Sequence, residues 1–182
     1  MAGEAKQSLD ARPGKFPKCA ISQEAGAWYH GAKRKRICWV FAMDSAYWEL
    51  YSHPADMGIR GVGPTREEAF AQAALAMTSI VTDLERIEPK DAVTITCAEE
   101  DDGLLLVGWL SALLCEMGTR NMLFCRFEIA RVEGGLRATA WGEAVDPVRH
   151  EPAVEVKAAT YADLKVEEDR AGHWLAQCIV DV

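Results

Sequence analysis

The sequence predicts an α+β fold built from a mostly antiparallel sheet and two main helices. Apolar residues recur at helical spacing in two segments, one within 65–82 and one after the acidic run at 99–102. The rest of the body consists of short runs with the composition of strands, separated by turn residues. Several of these runs follow one another with no helix between them. Because strands joined by short turns pair antiparallel, the sheet is expected to be mostly antiparallel.

The first elements of the body are two strands and a helix. Residues 47–52 and 59–62 have the composition of strands, and a Gly-Pro pair ends the second. Thr65 followed by Glu68 is a capping box, so we expect a helix over 65–82. Its apolar stripe consists of Phe70, Ala73, Ala74, Met77, Ile80, Val81 and Leu84.

A second helix and further strands follow. The acids at 99–102 favour a helix N-terminus because of the helix dipole, and Gly118 is suited to the C-terminal cap. The stretch between them is apolar almost all round, so we expect both of its faces to be covered. The turn at 133–135, Glu-Gly-Gly, predicts a hairpin. The predicted strands are 93–97, 123–132, 136–141, 155–160, 164–167 and 174–181.

The composition is that of one ordinary globular domain. The chain has 182 residues, of which 49% are hydrophobic and 26% charged. It contains no run of 18 apolar residues, so we expect no membrane-spanning segment. The net charge of −8 is uneven, at +4 over residues 1–46 and −12 over the remainder. An acidic body binds nucleic acid poorly by itself and suits a basic protein partner or bound cations.

Residues 1–46 differ from the body and predict a leader that is disordered or non-native, followed by a domain over 47–182. The leader is polar and rich in helix breakers, and it shows no clear period of 2 or 3.6. Met43 begins a phrase that would serve as an ordinary N-terminus. The basic run KRKR at 33–36 leaves a localisation signal or a nucleic-acid patch open as alternatives.

The cysteine pattern indicates reduced thiols in a cytoplasmic protein. The six cysteines form no CxxC pair and have no metal-ligand spacing, and no secretory signal precedes them. We therefore expect several of them at buried apolar positions.

The ionisable residues that could form a site fall at predicted strand ends. The sequence contains no GxSxG, P-loop, HExxH or GxGxxG motif, so no familiar enzyme class is indicated. Asp56 lies between the first two strands and Asp181 ends the last one. If those strands are neighbours, the two carboxylates can meet, and oxygen ligands of this kind suit calcium or magnesium. The other reading of Asp56 is an Asx-turn that bonds its own backbone.

Residues 48–182 resemble the archease family. The phrases that carry the resemblance occur in order and in the same chain: HPADMGI at 53–59, DDGLLLVGWLSALLCEMGTRNMLFCRFEI at 101–129, GEAVDPVRHE at 142–151 and EVKAATYADLKVE at 155–167. The helix TREEAFAQAALAMTSIVTD and the closing WLAQCIVDV, whose Asp is penultimate, also fit. Each phrase is weak alone, and their combination is specific.

The resemblance implies a protein cofactor and not an enzyme. Proteins similar to archease assist the RNA ligase of the RtcB type that joins tRNA halves, by promoting guanylylation of the ligase and its multiple turnover. Their contact with the tRNA halves is indirect, through the ligase. The resemblance also implies that Asp56 and Asp181 bind a divalent cation, calcium or magnesium, with Val182 adding a main-chain or terminal oxygen. The alternative is a general chaperone-like protein without a specific ligase partner.

Other residues are expected to line the site or to contact the partner. They are His53, Glu143, Asp146, His150 and Lys157. The plainer reading of Glu143 and His150 is a pair of loop charges with Arg149, and His53 is better suited to orienting a neighbour than to binding a hard cation. The family phrase K-A-x-T-Y usually continues with His, and here Ala162 stands in that place.

Overall fold

A computed structural model describes residues 46–53 and 56–182, so the expectation of a leader over 1–46 falls almost wholly outside the described residues. The strands are β1 (Tyr47–Ser52), β2 (Met57–Gly63), β3 (Asp91–Cys97), β4 (Met122–Val132), β5 (Gly135–Ala144), β6 (Ala158–Ala159), β7 (Lys165–Glu168) and β8 (Trp174–Asp181). The helices are α1 (Arg66–Val81), α2 (Asp102–Arg120) and α3 (Pro147–His150), with a 3₁₀ turn at Leu84–Arg86.

The strands form two antiparallel sheets in the described part of the chain. The first has the order β1-β2-β8-β6, and β7 also pairs with β8. The second has the order β3-β5-β4. The predicted α+β fold with mostly antiparallel strands is therefore confirmed.

Helix α1 packs against the first sheet at very close range. Its N-cap Thr65 accepts a hydrogen bond from the Glu68 main-chain nitrogen at 3.1 Å, as the capping box predicts. A Cβ added at Gly61 of β2 would lie 2.1 Å from the Ala69 oxygen and 2.3 Å from the Ala73 nitrogen. Glycine is therefore required at position 61, because it lets the helix backbone approach the sheet. The other face of α1 reaches β4 of the second sheet.

Helix α2 belongs to the same core. Its N-cap is Asp101, which accepts from the Leu104 nitrogen at 2.9 Å. It is long and apolar enough, at 19 residues and a mean hydropathy of 1.3, to cross a membrane by length and composition alone. That is weak evidence of a span, because core helices pass the same test. The residues that α2 buries in the protein core are Leu105, Leu106, Trp109, Leu110 and Leu113.

The predicted cap at Gly118 is wrong. Gly118 lies inside α2, and the helix ends at Asn121, which has φ 52 and whose main-chain nitrogen donates to the Met117 oxygen. Asparagine is among the few residues that adopt this left-handed conformation readily, so it can serve as the C-terminal cap without a glycine.

Two further expectations are corrected in the segment before β8. The segment after the predicted strand 136–141, for which no further element was expected, continues β5 to Ala144 and contains the short helix α3, capped by Asp146. Only Ala158–Ala159 of the expected strand 155–160 pairs with a neighbour. The ladder places Ala158 opposite Asp181, where β8 ends, so residues 155–157 lie beyond the strand that would pair with them.

Candidate functional site

The register of the first sheet places Asp56 and Asp181 in one row. Met57 pairs with Val180 in the antiparallel ladder between β2 and β8. Continuing that register by one residue sets Asp56 opposite Asp181. On the far side of β8, Ala158 is the register partner of Asp181. The two acids that the sequence separates by 125 positions therefore occupy neighbouring places at one end of the sheet.

His53 extends the same row. Ser52 pairs with Met57, so continuing the β1–β2 register sets His53 opposite Asp56. His53 is exposed at the end of β1. In the continued register, the row runs from His53 through Asp56 and Asp181 to Ala158. This order describes positions in the sheet and does not mean that the side chains touch.

Both carboxylates belong to one face of the sheet. Side chains alternate along a strand, so Asp56 shares a face with Gly58 and Arg60, and Asp181 shares one with Ile179. In the register Gly58 pairs with Ile179, which shows that these are the same face. This face points away from α1. The odd-numbered residues of β2 lie on the other face, and one of them, Gly61, contacts that helix.

Among the described residues, neither of the two acids is paired with a charged group. Both are half-buried, and neither carboxylate forms a hydrogen bond or ion pair with any residue in 46–53 or 56–182. Like charges directly opposite on a sheet face repel each other. No group of three or more His, Cys, Asp and Glu side chains that could hold a metal ion occurs among the described residues. Within residues 46–53 and 56–182, the two carboxylates are therefore not part of a cluster of three or more such side chains.

Lys157 lies beside this pair and engages the chain end. Its Nζ donates to the Val182 main-chain oxygen at 3.0 Å, and its main-chain nitrogen donates to the Asp181 oxygen at 2.9 Å. The Val182 oxygen that was expected to face a cation therefore accepts a bond from an ammonium group. Lys157 holds the last two residues in place next to the carboxylates.

A polar network fixes the sheet face next to the two acids. The Tyr51 hydroxyl donates to Asp163 Oδ2 at 2.9 Å, and Gln177 Nε2 donates to the Asp163 oxygen at 3.1 Å. Arg60 Nε donates to Gln177 Oε1 at 2.8 Å, and Arg60 also pairs with Glu49. Burial and the bond to Asp163 raise the pKa of Tyr51 well above its usual range, so this hydroxyl keeps its proton and its bond.

Glu143 and His150 form a separate buried cluster. His150 Nδ1 accepts from the Asp146 nitrogen at 2.9 Å, which leaves Nε2 to carry the hydrogen and donate to Glu143 Oε1 at 3.3 Å. Glu143 also accepts from the Glu88 nitrogen at 2.6 Å and from Lys90 Nζ at 2.9 Å, and it pairs with Arg149. The bond from Arg149 is the main reason why the pKa of Glu143 lies well below its usual range, against the opposing effect of burial.

The cluster connects four parts of the chain. The Thr82 hydroxyl donates to the His150 oxygen, and the Ala153 nitrogen donates to the Val81 oxygen at 2.9 Å. The Asp146 side chain accepts from the main-chain nitrogens of the first turn of α3. No hydrogen bond or ion pair within the described ranges links Glu143, Asp146 or His150 to Asp56 or Asp181. Hydrogen bonds thus join Asp181, Lys157 and Val182, the continued register sets Asp56 next to Asp181, and Glu143, Asp146 and His150 lie elsewhere as a structural anchor.

The sequence reasoning missed the partners of Glu143 on the other side of the fold. Glu88 and Lys90 bond to Glu143 from more than 50 positions away, as Thr82 does to the His150 oxygen, and each looks like an ordinary loop or helix-end residue. Only a single signal was available, namely that a Gly-Glu pair at a predicted strand end places an acid at the edge of a sheet.

Residues 48–182 match the model of the archease protein family (MTH1598/TM1083). The chain belongs to the archease family. It is 40% identical to the archease of Thermococcus kodakarensis over 139 residues, which cover 74% of this chain and 98% of that protein. It is 42% identical to the archease of Pyrococcus furiosus, again over 74% of this chain and 98% of that protein. The solution structure of Methanobacterium thermoautotrophicum protein 1598 is similar, with a TM-score of 0.63 and 31% identity over 74% of this chain and 98% of that one.

This archease departs from the expected family phrase at Ala162, and the structure shows what that residue does. The Ala162 oxygen accepts from the Ile179 nitrogen at 3.1 Å, and its nitrogen donates to Thr160 Oγ1 at 3.2 Å. Position 162 is therefore used through its main chain to hold the loop over β8. The Ala162 side chain takes part in neither bond.

Proposed function

We propose that this archease is a protein cofactor of an RNA ligase of the RtcB type, and that it promotes guanylylation and multiple turnover of the ligase through a divalent cation held by Asp56 and Asp181. Family membership supports the class of function. The register that opposes Asp56 and Asp181 on one sheet face is the observation that carries the cation site.

The chemistry of the two acids fits a hard cation. Calcium and magnesium prefer carboxylate, carbonyl and water oxygens, and a bound cation relieves the repulsion between the two carboxylates. Both side chains are half-buried, so they are partly desolvated and still open to solvent on one side. Two carboxylates leave most of the six to eight positions of a calcium ion to main-chain oxygens, water or the partner.

The protein's own residues position these acids. The ladder between β2 and β8 ends at Met57 and Val180, so it holds the residues next to Asp56 and Asp181 on rigid elements. Lys157 restrains the segment that follows Asp181 through its bonds to the Asp181 and Val182 oxygens. A divalent cation held by Asp56 and Asp181 would supply a positive charge that could attract phosphate groups of the ligase's nucleotide substrate.

The charge of the domain favours a basic partner surface. Residues 47–182 carry twice as many acids as bases, with a net charge of −12. The negative electrostatic potential of the domain speeds its association with a basic protein and repels nucleic acid. We therefore expect the protein to reach tRNA halves only through the ligase.

Guanylylation of the ligase under multiple-turnover conditions tests the proposal. We expect ligated RNA to exceed the ligase concentration only when the archease is present, and Asp56→Asn and Asp181→Asn to abolish this excess. Asp91→Asn is the matched control, because it removes one exposed acid from the second sheet. Normal stimulation by both site variants at limiting cation would rule out the cation account, and no stimulation by the wild-type protein would rule out the function.

A further inference from the structure

The aromatic ring of Tyr51 lies on the sheet face that carries Asp56 and Asp181. Tyr51 is the register partner of Gly58, and a Cβ added at Gly58 would lie 2.3 Å from Tyr51 Cε2 and 2.4 Å from Tyr51 Cζ. The ring therefore rests on the main chain of β2, in the space that a side chain at position 58 would fill. Because Gly58 and Asp56 are two residues apart on one strand, the ring occupies the side-chain row next to the candidate cation site.

The Tyr51 hydroxyl joins the two sides of the sheet across this row. Tyr51 lies on β1, and its hydroxyl donates at 2.9 Å to Oδ2 of Asp163, which lies between β6 and β7 on the far side of β8. The loop that holds Asp163 is bonded to β8, since the Ile179 nitrogen donates to the Ala162 oxygen at 3.1 Å. Ile179 lies two residues before Asp181, in the same row as the Tyr51 ring. The bond thus crosses β2 and β8 one row away from both acids.

Further contacts keep Tyr51 and Asp163 in this arrangement. Arg60 Cζ lies 5.0 Å from the centroid of the Tyr51 ring, and Arg60 Nε donates to Gln177 Oε1 at 2.8 Å. Gln177 Nε2 donates to the Asp163 main-chain oxygen at 3.1 Å, so the contacts return to Asp163 and form a closed network. Asp163 has φ 48, a left-handed conformation that aspartate and asparagine adopt more readily than most residues. A polar network whose members are bonded in this way is rigid.

We infer that Tyr51 is a positioning residue of the cation site and acts through its bond to Asp163. The inference rests on the proposed function, because it concerns how the proposed site is held. The ladder between β2 and β8 ends at Met57 and Val180, so the two acids lie beyond its last pair and repel each other. The Tyr51–Asp163 bond holds the row next to them and limits how far the two strand ends separate. A site held in this way has less freedom to lose on binding a cation, which raises its affinity.

Removal of one hydroxyl tests the inference. Tyr51→Phe keeps the ring on Gly58 and removes only the bond to Asp163. Tyr47→Phe is the matched control, because Tyr47 lies on the same strand and face and its hydroxyl bonds to no described residue. Calorimetric titration with Ca²⁺ and Mg²⁺ measures the affinity for the ion that the wild type binds more tightly. We expect at least a threefold loss in Tyr51→Phe and a change below 1.5-fold in the control.

Two substitutions of Asp163 separate positioning from a direct effect of its charge. Asp163→Asn keeps an oxygen that can accept from Tyr51 and tolerates the left-handed conformation, so its cation affinity should stay within twofold of the wild type. Asp163→Ala removes the acceptor and should weaken cation binding at least as much as Tyr51→Phe. The double variant Tyr51→Phe/Asp163→Ala should lose no more than Asp163→Ala, because both changes break one bond. An equal loss in Asp163→Asn and Asp163→Ala, or additive losses in the double variant, would contradict the inference.

The behaviour of the wild type and Tyr51→Phe together separates this inference from the proposed function. If the wild type binds the ion and stimulates the ligase while Tyr51→Phe is less stable to denaturant but keeps full cation affinity, the bond only stabilises the sheet; the inference is then wrong and the proposed function stands. If the wild type binds the ion but does not stimulate the ligase, the function is wrong and the affinities still decide the role of Tyr51. If the wild type binds neither ion, the cation site and the inference are both wrong.

Discussion

Met57 pairs with Val180 in the ladder between β2 and β8, and this pair sets the geometry of the candidate site. One residue further, the same register opposes Asp56 and Asp181 on the sheet face that points away from α1. A shift of one residue would send one of the two carboxylates to the opposite face. Gly61 makes such a shift costly, because only a glycine fits beneath Ala69 and Ala73. The close packing of helix on sheet thus protects the alignment of the two acids.

If Asp56 and Asp181 lie opposite each other, the stability of the wild type relative to Asp56→Asn or Asp181→Asn should depend on divalent cations. Without divalent cations, Asp56→Asn or Asp181→Asn should raise the free energy of unfolding by about 0.2–1 kcal/mol, because the substitution removes a like-charge pair. At 100 times the dissociation constant, a bound cation should stabilise the wild type by about 2.7 kcal/mol and the variants by much less. Denaturant unfolding in a chelator and in excess Ca²⁺ or Mg²⁺ measures both effects. Equal cation stabilisation of the wild type and both variants would contradict the site.

We expect a conservative substitution of Glu143 to lower the free energy of unfolding. Glu143→Gln weakens the buried hydrogen bonds from the Glu88 nitrogen and His150. It also removes one carboxylate partner of Arg149 and Lys90, which both reach solvent, so we expect the free energy of unfolding to fall by about 1–3 kcal/mol. Denaturant unfolding at neutral pH measures the loss. Glu128→Gln is the control, because Glu128 makes an exposed pair with Arg126 on β4, and it should cost at most about 1 kcal/mol. A loss from Glu143→Gln as small as that of the control would show that the cluster is not an anchor.

The lowered pKa of Glu143 also determines how the free energy of unfolding should depend on pH. The pKa of Glu143 is lowered in the folded protein, so its stabilisation is fully present above the unfolded value of about 4.3 and disappears as the pH falls through the folded value. The stability difference between the wild type and Glu143→Gln should therefore be constant from pH 7 to about 5 and shrink below about pH 4. Unfolding free energies across this range test it. If the stability difference between the wild type and Glu143→Gln grew as the pH fell, it would contradict a lowered pKa of Glu143.

Two glycine substitutions should have opposite effects. Gly61→Ala forces the new Cβ against the main chain of α1, and we expect it to cost at least about 1–3 kcal/mol. Gly118→Ala meets no atom within 4 Å and lies inside α2, so it should stabilise the protein by about 0.5–1 kcal/mol. Thermal and denaturant unfolding of the two variants measure this contrast. Destabilisation by Gly118→Ala would restore the view that Gly118 caps the helix.

Much of the fold could be predicted because local patterns and tertiary contacts agree. Strands β1 and β8 have the predicted bounds, and α1 differs from its prediction by one residue at each end. The N-terminal caps of both main helices follow from Thr65 and Asp101, whose side chains bond within their own first turn. Such signals lie within a few residues of the element they define, so the sequence displays them directly.

The errors occur where distant residues decide the outcome. Residues 155 and 156 have the composition of a strand, but they extend past the end of β8, and Lys157 keeps only a single main-chain bond, to the Asp181 oxygen. The cap error is different, because it is local: Asn121 ends α2 in place of the expected glycine, since its own side chain tolerates the left-handed conformation. Glu143 and His150 resemble exposed loop charges in sequence, and only the approach of Thr82 and of the segment near Lys90 buries them.

The candidate site could be predicted in its residues but not in its arrangement. The resemblance to archease selects Asp56 and Asp181, and the sheet register explains why these two can act together. The expected role of the Val182 oxygen changes, because Lys157 bonds to it. No local pattern could show this contact, since it joins two strand ends 25 positions apart.

Calorimetric titration of Ca²⁺ and Mg²⁺ into the wild type, Asp56→Asn, Asp181→Asn and the Asp91→Asn control tests the central claim most directly. We expect one divalent ion to bind per chain, with an affinity that falls at least tenfold in each site variant and stays unchanged in the control. Equal binding by the wild type and both site variants, or no binding by the wild type, would contradict a cation site at the end of β2 and β8.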